Sequence, residues 1–252
     1  MNAPIEGFSK LSKEEKIHWI AHNFTEQPKK TEQLLKRYWN IDGEVQKIHD
    51  EFIENTLSNY YLPFAIAPNF LINGAFYALP MVIEESSVVA AASKAAKFWL
   101  SRGGFKAEVL STEKVGQVHF VFKGDTSKLF HFFTDIQETL HRSVEPITRN
   151  MEKRGGGLKK IELRDKTADI EQYFQLHCTF ETLDAMGANF VNSCLEQLAS
   201  TLKESANAYS GFNETEKSIE VVMSILSNYV PNCLVKAEVS CPVEMLNEDG
   251  QG

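Results

Sequence analysis

The chain has 252 residues, with 26 Lys and Arg against 34 Asp and Glu, which gives a formal net charge of −8. Its 43% hydrophobic and 24% charged residues are typical of a globular protein and exclude disordered, collagen-like and disulfide-scaffold classes. The acidic balance argues against a dedicated nucleic-acid binder, because such proteins need surface that neutralises phosphates.

The first sixty residues predict short amphipathic helices. Ser12 and Glu15 have the spacing of a capping box, and the apolar face begins behind it at Ile17 and Ile20. Two further stripes with helical spacing follow: Leu34, Leu35, Tyr38 and Trp39, and then Val45, Ile48 and Phe52. We expect such small helices to pack on a larger body.

A hairpin is predicted next. The dipeptide Asn73-Gly74 lies between two apolar runs and is typical of a type I′ turn. Pro63 and Pro68 exclude a helix in the first run, and residues 76–83 are predicted to return as the second strand.

An alanine-rich helix is predicted over residues 88–100. Its small side chains favour a helix in tight contact with neighbouring elements. Ser86 or Ser87 is expected to cap it, and Gly103-Gly104 to end it.

The following block has the order β-α-β-β-α-β, which is the ferredoxin-like motif. The predicted elements are a strand at 117–123, a helix at 126–153 broken at Pro146, strands at 158–164 and 171–181, a helix at 185–203 and a strand at 219–226. A last strand at 233–243 is expected to pair with the strands before Gly103. The ferredoxin-like block would then be an insertion into a first domain.

The cysteines and the N-terminus predict a cytoplasmic protein with reduced thiols. The four cysteines show no CxxC spacing, and two of them lie within apolar patterns. The first residues have neither the basic nor the apolar region of a signal peptide, and no apolar stretch approaches the ~18 residues of a membrane span.

Histidines and glycines give no specific signal of a metal or phosphate site. His18 and His22 are four residues apart on a predicted helix, but no third ligand is evident, so a solvated helix face is favoured and no metal is predicted. The triplet Gly155-Gly156-Gly157 precedes a strand rather than a helix, so we interpret it as a turn.

The segment 184–189 (DAMGAN) is more informative. Asp184 is predicted to be the N-cap of the following helix, with Gly187 in the first helical turn. A glycine there leaves backbone N–H groups open to a pyrophosphate or carboxylate. The alternative is a close contact between helix and strand that leaves no room for a side chain, and local physics does not decide between the two.

The adjacent carboxyl groups of Glu84 and Glu85 are the other candidate. Strand alternation would turn one of them toward the interior, where desolvation would raise its pKa and make it a general acid. Under the alternative interpretation, both point to water at a strand end, and spacing alone favours this.

Two segments together carry a resemblance to a known family. Residues 79–93 (LPMVIEESSVVAAAS) and 184–189 resemble the 3-hydroxy-3-methylglutaryl-CoA reductases of the bacterial, class II type. Residues 54–55, Pro63, 69–74 and 225–228 also match, so the likeness covers nearly the whole chain.

The resemblance implies an α+β fold with two domains. Residues 1–110 would begin a large α/β-type domain that binds the CoA thioester, 111–228 would be the inserted ferredoxin-like domain that binds the dinucleotide, and 229–252 would return to the large domain. Family members form dimers with the active site at the subunit interface.

The resemblance also implies an oxidoreductase activity and its site residues. The family converts 3-hydroxy-3-methylglutaryl-CoA and two NAD(P)H into mevalonate and CoA, or the reverse. Glu85 matches the catalytic glutamate and Ser87 a position that contacts the hydroxymethylglutaryl group. The residues matched to dinucleotide binding are Asp184, Met186, Gly187, Ala188, Asn189 and Asn228.

The choice between NAD(H) and NADP(H) depends on one position in this comparison. Family members that use NAD carry an acid before the glycine triplet, whereas this chain has Thr148 beside Arg149. An uncharged residue next to a guanidinium tolerates a 2′-phosphate, so NADP(H) is favoured. The alternative is that Arg149 belongs to an ordinary solvated helix face.

The family's catalytic lysine, aspartate and histidine find no matching motif here. The resemblance therefore implies an N-terminal portion of a reductase that is inactive alone, since a positioned cation is a large part of such catalysis. The alternatives are a dinucleotide- or acyl-CoA-binding module without catalysis, and a partner that dimerises with a full-length reductase.

Overall fold

The computed structural model of the chain describes residues 4–246. These residues divide into two compact units, one of residues 4–104 with 241–246 and the other of Phe105–Ser240. Among the described residues, no helix has the length and apolar character needed to cross a bilayer.

The first unit contains the three short helices that were predicted, and a 3₁₀ helix at Phe8–Lys10 precedes them. Ser12 and Glu15 form both hydrogen bonds of the capping box, which confirms the predicted start of the first helix. Ile17 and Ala21, four residues apart on one face, are fully buried. The helices are α1 (Lys13–Phe24), α2 (Pro28–Arg37) and α3 (Gly43–Asp50).

The predicted hairpin follows and is confirmed. Strands β1 (Phe64–Ile72) and β2 (Ala75–Val82) pair antiparallel. Asn73 and Gly74 have φ values of 51° and 83°, and a type I′ turn needs positive φ at both positions. Helix α4 (Ser86–Leu100) packs against β1 and buries Ala96.

The second unit has the predicted ferredoxin-like topology. Its elements are β3 (Lys106–Val121), α5 (Thr126–Glu152), β4 (Gly157–Asp165), β5 (Tyr173–Glu181), α6 (Ala188–Ala208), α7 (Glu214–Lys217), β6 (Glu220–Leu226) and β7 (Cys233–Glu238). The sheet order is β4-β5-β3-β6 with all pairs antiparallel, and α5 and α6 pack on each other and on the sheet.

The core of the second unit lies between this sheet and the two long helices. Buried residues recur at three- and four-residue steps on the helices and at every second residue on the strands, as burial of one face requires. They include Leu129, Phe132, Ile136, Leu140, Val191, Leu195, Leu198, Val118, Phe120, Leu176 and Cys178. At Gly116 on β3 an added Cβ would lie 2.6 Å from the Leu195 Cδ1 atom, so the glycine lets α6 lie close to the sheet.

The pairing of the last strand differs from the prediction. Strand β7 pairs with the first part of β3, from Lys106 opposite Glu238 to Thr112 opposite Cys233. The expected pairing with strands before Gly103 is therefore wrong. The reason is that β3 begins at Lys106 instead of residue 117, so one 16-residue strand serves β7 with its first part and β5 and β6 with its second.

The predicted break at Pro146 is also wrong, since α5 continues to Glu152. Proline leaves the carbonyl of the residue four positions earlier, Arg142, without its helical partner. Pro146 and Arg142 are both exposed, so water can satisfy that carbonyl. The glycine triplet forms the turn into β4, as predicted, with Gly155 and Gly157 at positive φ.

Candidate functional site

The first candidate segment is the connection between β2 and α4. Strand β2 ends at Val82 and α4 begins at Ser86, so three residues make the whole turn. Ile83 has a φ of 64°, which is rare for a β-branched residue and costs of order 1–3 kcal/mol. Backbone strain of this kind is concentrated at functional sites, and here it directly precedes the paired glutamates.

Glu85 is the N-cap residue of α4, with φ −73° and ψ 162°. The Ser87 hydroxyl donates a hydrogen bond to Glu85 Oε1 over 3.5 Å, and both side chains are exposed. A carboxyl group and a hydroxyl group are thus adjacent at the beginning of a helix, where an incoming ligand can reach both. This is a suitable arrangement for proton transfer to a bound carbonyl.

The structure corrects one expectation about this turn and decides between two interpretations of the paired glutamates. Neither Ser86 nor Ser87 is the N-cap, since that position belongs to Glu85. Glu84 and Glu85 are both exposed, which is the interpretation that spacing alone favoured. The cause is Ile83, whose left-handed backbone ends the strand alternation that would have turned one carboxyl inward.

The second candidate segment, 184–189, connects β5 to α6. The N-cap of α6 is Gly187, with a φ of 77°, so the prediction of Asp184 as N-cap is wrong. Gly187 also lies just outside the helix and not within its first turn. A Cβ at this position would lie 2.6 Å from Thr182 Cγ2, which shows the close contact with the preceding segment that was one of the two interpretations.

Hydrogen bonds hold this connection in a fixed shape. Glu181 Oε1 accepts from the Thr112 hydroxyl at 2.6 Å and from the Leu183 N–H at 2.7 Å. The hydrogen bond from Thr112, and then those from backbone N–H groups, hold the pKa of the Glu181 carboxyl below its usual range. The buried Thr182 donates its hydroxyl to the Ala185 carbonyl at 2.6 Å.

Sequence reasoning missed Glu181 and Thr182. The signal available was an acid and a threonine at the end of an apolar strand, a pattern typical of side chains that bind a following turn. Leu183, which follows them, has a φ of 54°. The β2–α4 and β5–α6 connections therefore each contain a non-glycine residue in the left-handed region.

The start of α6 is accessible. Asp184, Met186 and Asn189 are exposed, and Met186 keeps 71% of its surface open to solvent. Because Gly187 has no side chain, it cannot cap the first N–H groups of the helix. Such an end carries partial positive charge and can bind a phosphate or carboxylate.

Asn228 lies at the same end of the second unit. It is exposed and follows the end of β6 by two residues. The Leu226 N–H donates to Asn192 Oδ1 at 2.9 Å, which joins the end of β6 to the beginning of α6. Asn192 is another residue that sequence reasoning missed, because its role depends on a strand 34 residues away.

Of the two residues predicted to select the cofactor, one is buried and the other is exposed. Thr148 is 1% exposed, and its hydroxyl donates to the Glu145 carbonyl at 3.4 Å, whereas Arg149 is exposed. The structure contradicts the surface position assumed for Thr148. Because α5 continues through Pro146, residue 148 falls on the stripe that Leu140 and Val144 bury in the core.

Comparison with known proteins gives consistent matches. The family model for hydroxymethylglutaryl-coenzyme A reductase matches residues 12–250. The 3-hydroxy-3-methylglutaryl-coenzyme A reductase of Archaeoglobus fulgidus is 34% identical over 202 residues, which cover 79% of this chain and 44% of that protein. A probable 3-hydroxy-3-methylglutaryl-coenzyme A reductase of Borreliella burgdorferi is 34% identical over 194 residues, 75% of this chain and 41% of that protein.

Solved structures that resemble this chain come from the same reductase family. The class II 3-hydroxy-3-methylglutaryl-CoA reductase of Streptococcus pneumoniae, bound to NADPH in open conformations, matches 97% of this chain with a TM-score of 0.68 and 28% identity. Another structure of the reductase from that organism matches 99% of the chain with a TM-score of 0.69 and 27% identity. The chain spans less than half the length of these curated relatives, and 62% and 63% of the two solved chains.

Proposed function

This chain belongs to the hydroxymethylglutaryl-coenzyme A reductase family, and on that basis we propose that it supplies an acid group and a dinucleotide site to such a reductase. The reaction would convert 3-hydroxy-3-methylglutaryl-CoA and two NAD(P)H into mevalonate and CoA, or run in reverse. The observation that carries the proposal is that exposed polar residues of both family-like segments lie at the beginning of helices α4 and α6, Glu85 and Ser87 at the first and Asp184 and Asn189 at the second.

Glu85 is the proposed proton donor, and Ser87 the proposed contact to the hydroxymethylglutaryl group. Hydride addition to a thioester carbonyl leaves negative charge on its oxygen, and a carboxylic acid beside that oxygen can donate the neutralising proton. The exposure of Glu85 and the Ser87 hydroxyl 3.5 Å away support this role, because a substrate can approach both groups.

The dinucleotide is proposed to bind at the beginning of α6. Its pyrophosphate would accept hydrogen bonds from the N–H groups that follow Gly187, among the exposed side chains of Asp184, Met186 and Asn189, with Ala188 as the first helical residue. The hydrogen bond between Leu226 and Asn192 supports a part for Asn228 as well, since it holds the end of β6 beside the same helix.

We propose NADP(H) as the preferred cofactor, and because Thr148 is buried, Arg149 is the residue that supports this choice. Gly157 at the start of β4 pairs with Glu181 at the end of β5. The last turn of α5, which precedes β4, and the beginning of α6, which follows β5, therefore lie at the same end of the paired strands. The exposed guanidinium of Arg149 at that end suits a 2′-phosphate. The NADPH bound to the Streptococcus pneumoniae relative is in keeping with this choice.

A charge change at each end of α6 tests the dinucleotide site. Asn189→Asp places a carboxylate where the pyrophosphate would bind, and Asn207→Asp makes the same change in the last turn of the same helix. NADPH titration by nicotinamide fluorescence should show about tenfold or more weaker binding for the first variant, equivalent to about 1.4 kcal/mol, and unchanged binding for the second. Equal affinities for the two variants, or no saturable binding of NADPH or NADH to the chain, would reject the site.

Turnover tests Glu85, in a reductase that also carries the family's lysine, aspartate and histidine. Glu85→Gln removes the proton and should lower kcat by about 10²- to 10⁴-fold while leaving dinucleotide affinity unchanged. Glu84→Gln is the matched control, because the neighbouring carboxyl is also exposed and should be dispensable. A similar loss in both variants would assign the effect to local structure or net charge instead of proton donation.

A homodimer is proposed as the working form. The hairpin of the first unit leaves large apolar side chains exposed, among them Phe64 at 70% and Phe76 at 72%. Apolar surface of this kind is typical of an interface. Light scattering after size-exclusion chromatography should give twice the chain mass, and a monomer at micromolar concentration would contradict the proposal.

A further inference from the structure

Three side chains converge on the surface of the first unit, away from the candidate segments. His18 and His22 lie four residues apart on α1, and Glu32 lies on α2. Glu32 Oε1 is 2.9 Å from His18 Nδ1 and 3.6 Å from His22 Nε2, and one ligand atom from each residue lies within 4.8 Å of the others. The sequence shows the histidine pair, but only the packing of α2 against α1 brings the third group to it.

The distances fit a coordination sphere. Bonds of zinc to imidazole nitrogen and carboxylate oxygen are about 2.0–2.2 Å long, so two ligand atoms of a tetrahedral site lie about 3.4 Å apart. The separations of 2.9 and 3.6 Å fall on either side of that value, and the two imidazole nitrogens lie within 4.8 Å of each other.

There is also room for an ion and its waters. The three residues line a cavity of about 630 Å³, together with Trp19, Lys36 and others. Glu32 is the least exposed of the three side chains, at 26% against 66% for His18 and 47% for His22. The carboxylate therefore lies deepest in the cavity, and the two imidazoles lie closer to solvent.

An ordinary surface ion pair explains only part of this arrangement. A hydrogen bond from His18 to Glu32 needs one imidazole. Here a second ring nitrogen, from His22, approaches the same carboxylate oxygen, and the two ring centroids are only 4.0 Å apart. Convergence of two imidazole nitrogens and one carboxylate oxygen is the donor set of many zinc sites that keep a free coordination position.

We propose that His18, His22 and Glu32 form a binding site for a divalent first-row transition metal ion, with Zn²⁺ as the representative cation. Nitrogen and oxygen donors of this kind suit Zn²⁺, Ni²⁺ and Cu²⁺ and disfavour Mg²⁺ and Ca²⁺, which prefer oxygen alone. Three protein ligands leave at least one position for water. The bound ion would link α1 to α2 and stabilise the first unit, independently of the proposed reductase function.

Metal titration of the full chain tests the site. With accessible thiols alkylated beforehand, ZnCl₂ should bind with a stoichiometry of one by calorimetry and raise Tm by several degrees, and EDTA should reverse the shift. His22→Gln and Glu32→Gln each remove one of three ligands and should weaken binding by about 10- to 100-fold or more, since losing even an outer-shell partner of a metal ligand costs that much. His131→Gln removes an exposed histidine of the second unit and should bind as the parent chain does.

Co²⁺ gives an independent measurement that does not depend on stability. Bound at this site it should show visible d–d absorption without the near-ultraviolet band of a cobalt–thiolate bond. Far-UV circular dichroism checks that each variant is folded. Zn²⁺ binding retained in the folded Glu32→Gln variant, equal loss in His131→Gln, or no binding up to millimolar ZnCl₂ would overturn the proposal.

Discussion

Replacing Gly187 by alanine tests how the start of α6 is built. The residue has a φ of 77°, and an added Cβ would lie 2.6 Å from Thr182 Cγ2 and 3.0 Å from Thr182 Cβ. Thr182 is 1% exposed, and its hydroxyl donates to the Ala185 carbonyl, so its side chain cannot rotate away without losing that bond. The substitution therefore strains the backbone and overpacks a buried contact at the same time.

The two effects add to a measurable loss. A non-glycine residue in the left-handed region costs about 1–2 kcal/mol, and overpacking a well-packed site costs about 1–3 kcal/mol more. We expect Gly187→Ala to lower the free energy of unfolding by about 2–5 kcal/mol. Gly155→Ala is the matched control, because its φ is 95° but no atom lies within 4 Å of the added Cβ, so only the backbone cost of about 1–2 kcal/mol applies.

A double variant separates the two effects. Thr182→Ser removes the Cγ2 atom at 2.6 Å and keeps the hydroxyl, so adding it to Gly187→Ala should recover part of the packing loss. The three tryptophans lie at 19, 39 and 99, outside the second unit, so urea unfolding is best followed by hydrogen exchange of peptides from β5 and α6. The reasoning fails if Gly187→Ala loses no more stability than Gly155→Ala, or if Thr182→Ser gives no recovery.

Three further outcomes can be checked. Thr148→Val removes the hydroxyl and its 3.4 Å hydrogen bond to the Glu145 carbonyl, so it should lower the free energy of unfolding by about 0.5–1.5 kcal/mol. Because the side chain is buried, the ratio of NADPH to NADH affinities should stay unchanged. Burial and then the charge of Arg164 lower the pKa of His177, and its Nδ1 has no partner among residues 4–246. The native state therefore keeps the ring neutral, so urea unfolding should show stability falling as pH drops below the unfolded value of about 6.5 toward the lower native pKa, and His177→Gln should flatten that fall. Burial raises the pKa of the Cys178 thiol, and it raises the pKa of the Cys194 thiol to about 12. A disulfide reagent should therefore label both thiols far more slowly than the half-buried Cys233. Equal labelling rates would contradict the described core.

Local sequence signals determined much of the fold. The capping box at Ser12, the positive-φ turn at Asn73 and the ferredoxin-like order of strands and helices all follow from interactions within a few residues or from a repeating burial pattern. The family resemblance of residues 79–93 and 184–189 was likewise readable, and the match of the family model to residues 12–250 confirms it.

Two outcomes at the candidate sites depend on the backbone conformation at a single nearby residue, which the sequence pattern did not specify. Glu85 is exposed because one left-handed residue, Ile83, ends the alternation of the strand before it. Thr148 is buried because α5 continues through Pro146 and keeps its register. In both cases the backbone conformation at one residue, Ile83 or Pro146, sets the face on which a following side chain lies.

The sequence by itself thus determined which segments form helices and strands and which motifs they carry, since those depend on local backbone preferences and on periodic burial. The tertiary structure alone decided that β7 pairs with the first part of β3, that Asn192 fastens the end of β6 to α6, and that Glu32 meets the two histidines of α1. These contacts join residues up to about 130 positions apart, and their partners are selected by packing of whole elements, which no short stretch of sequence encodes.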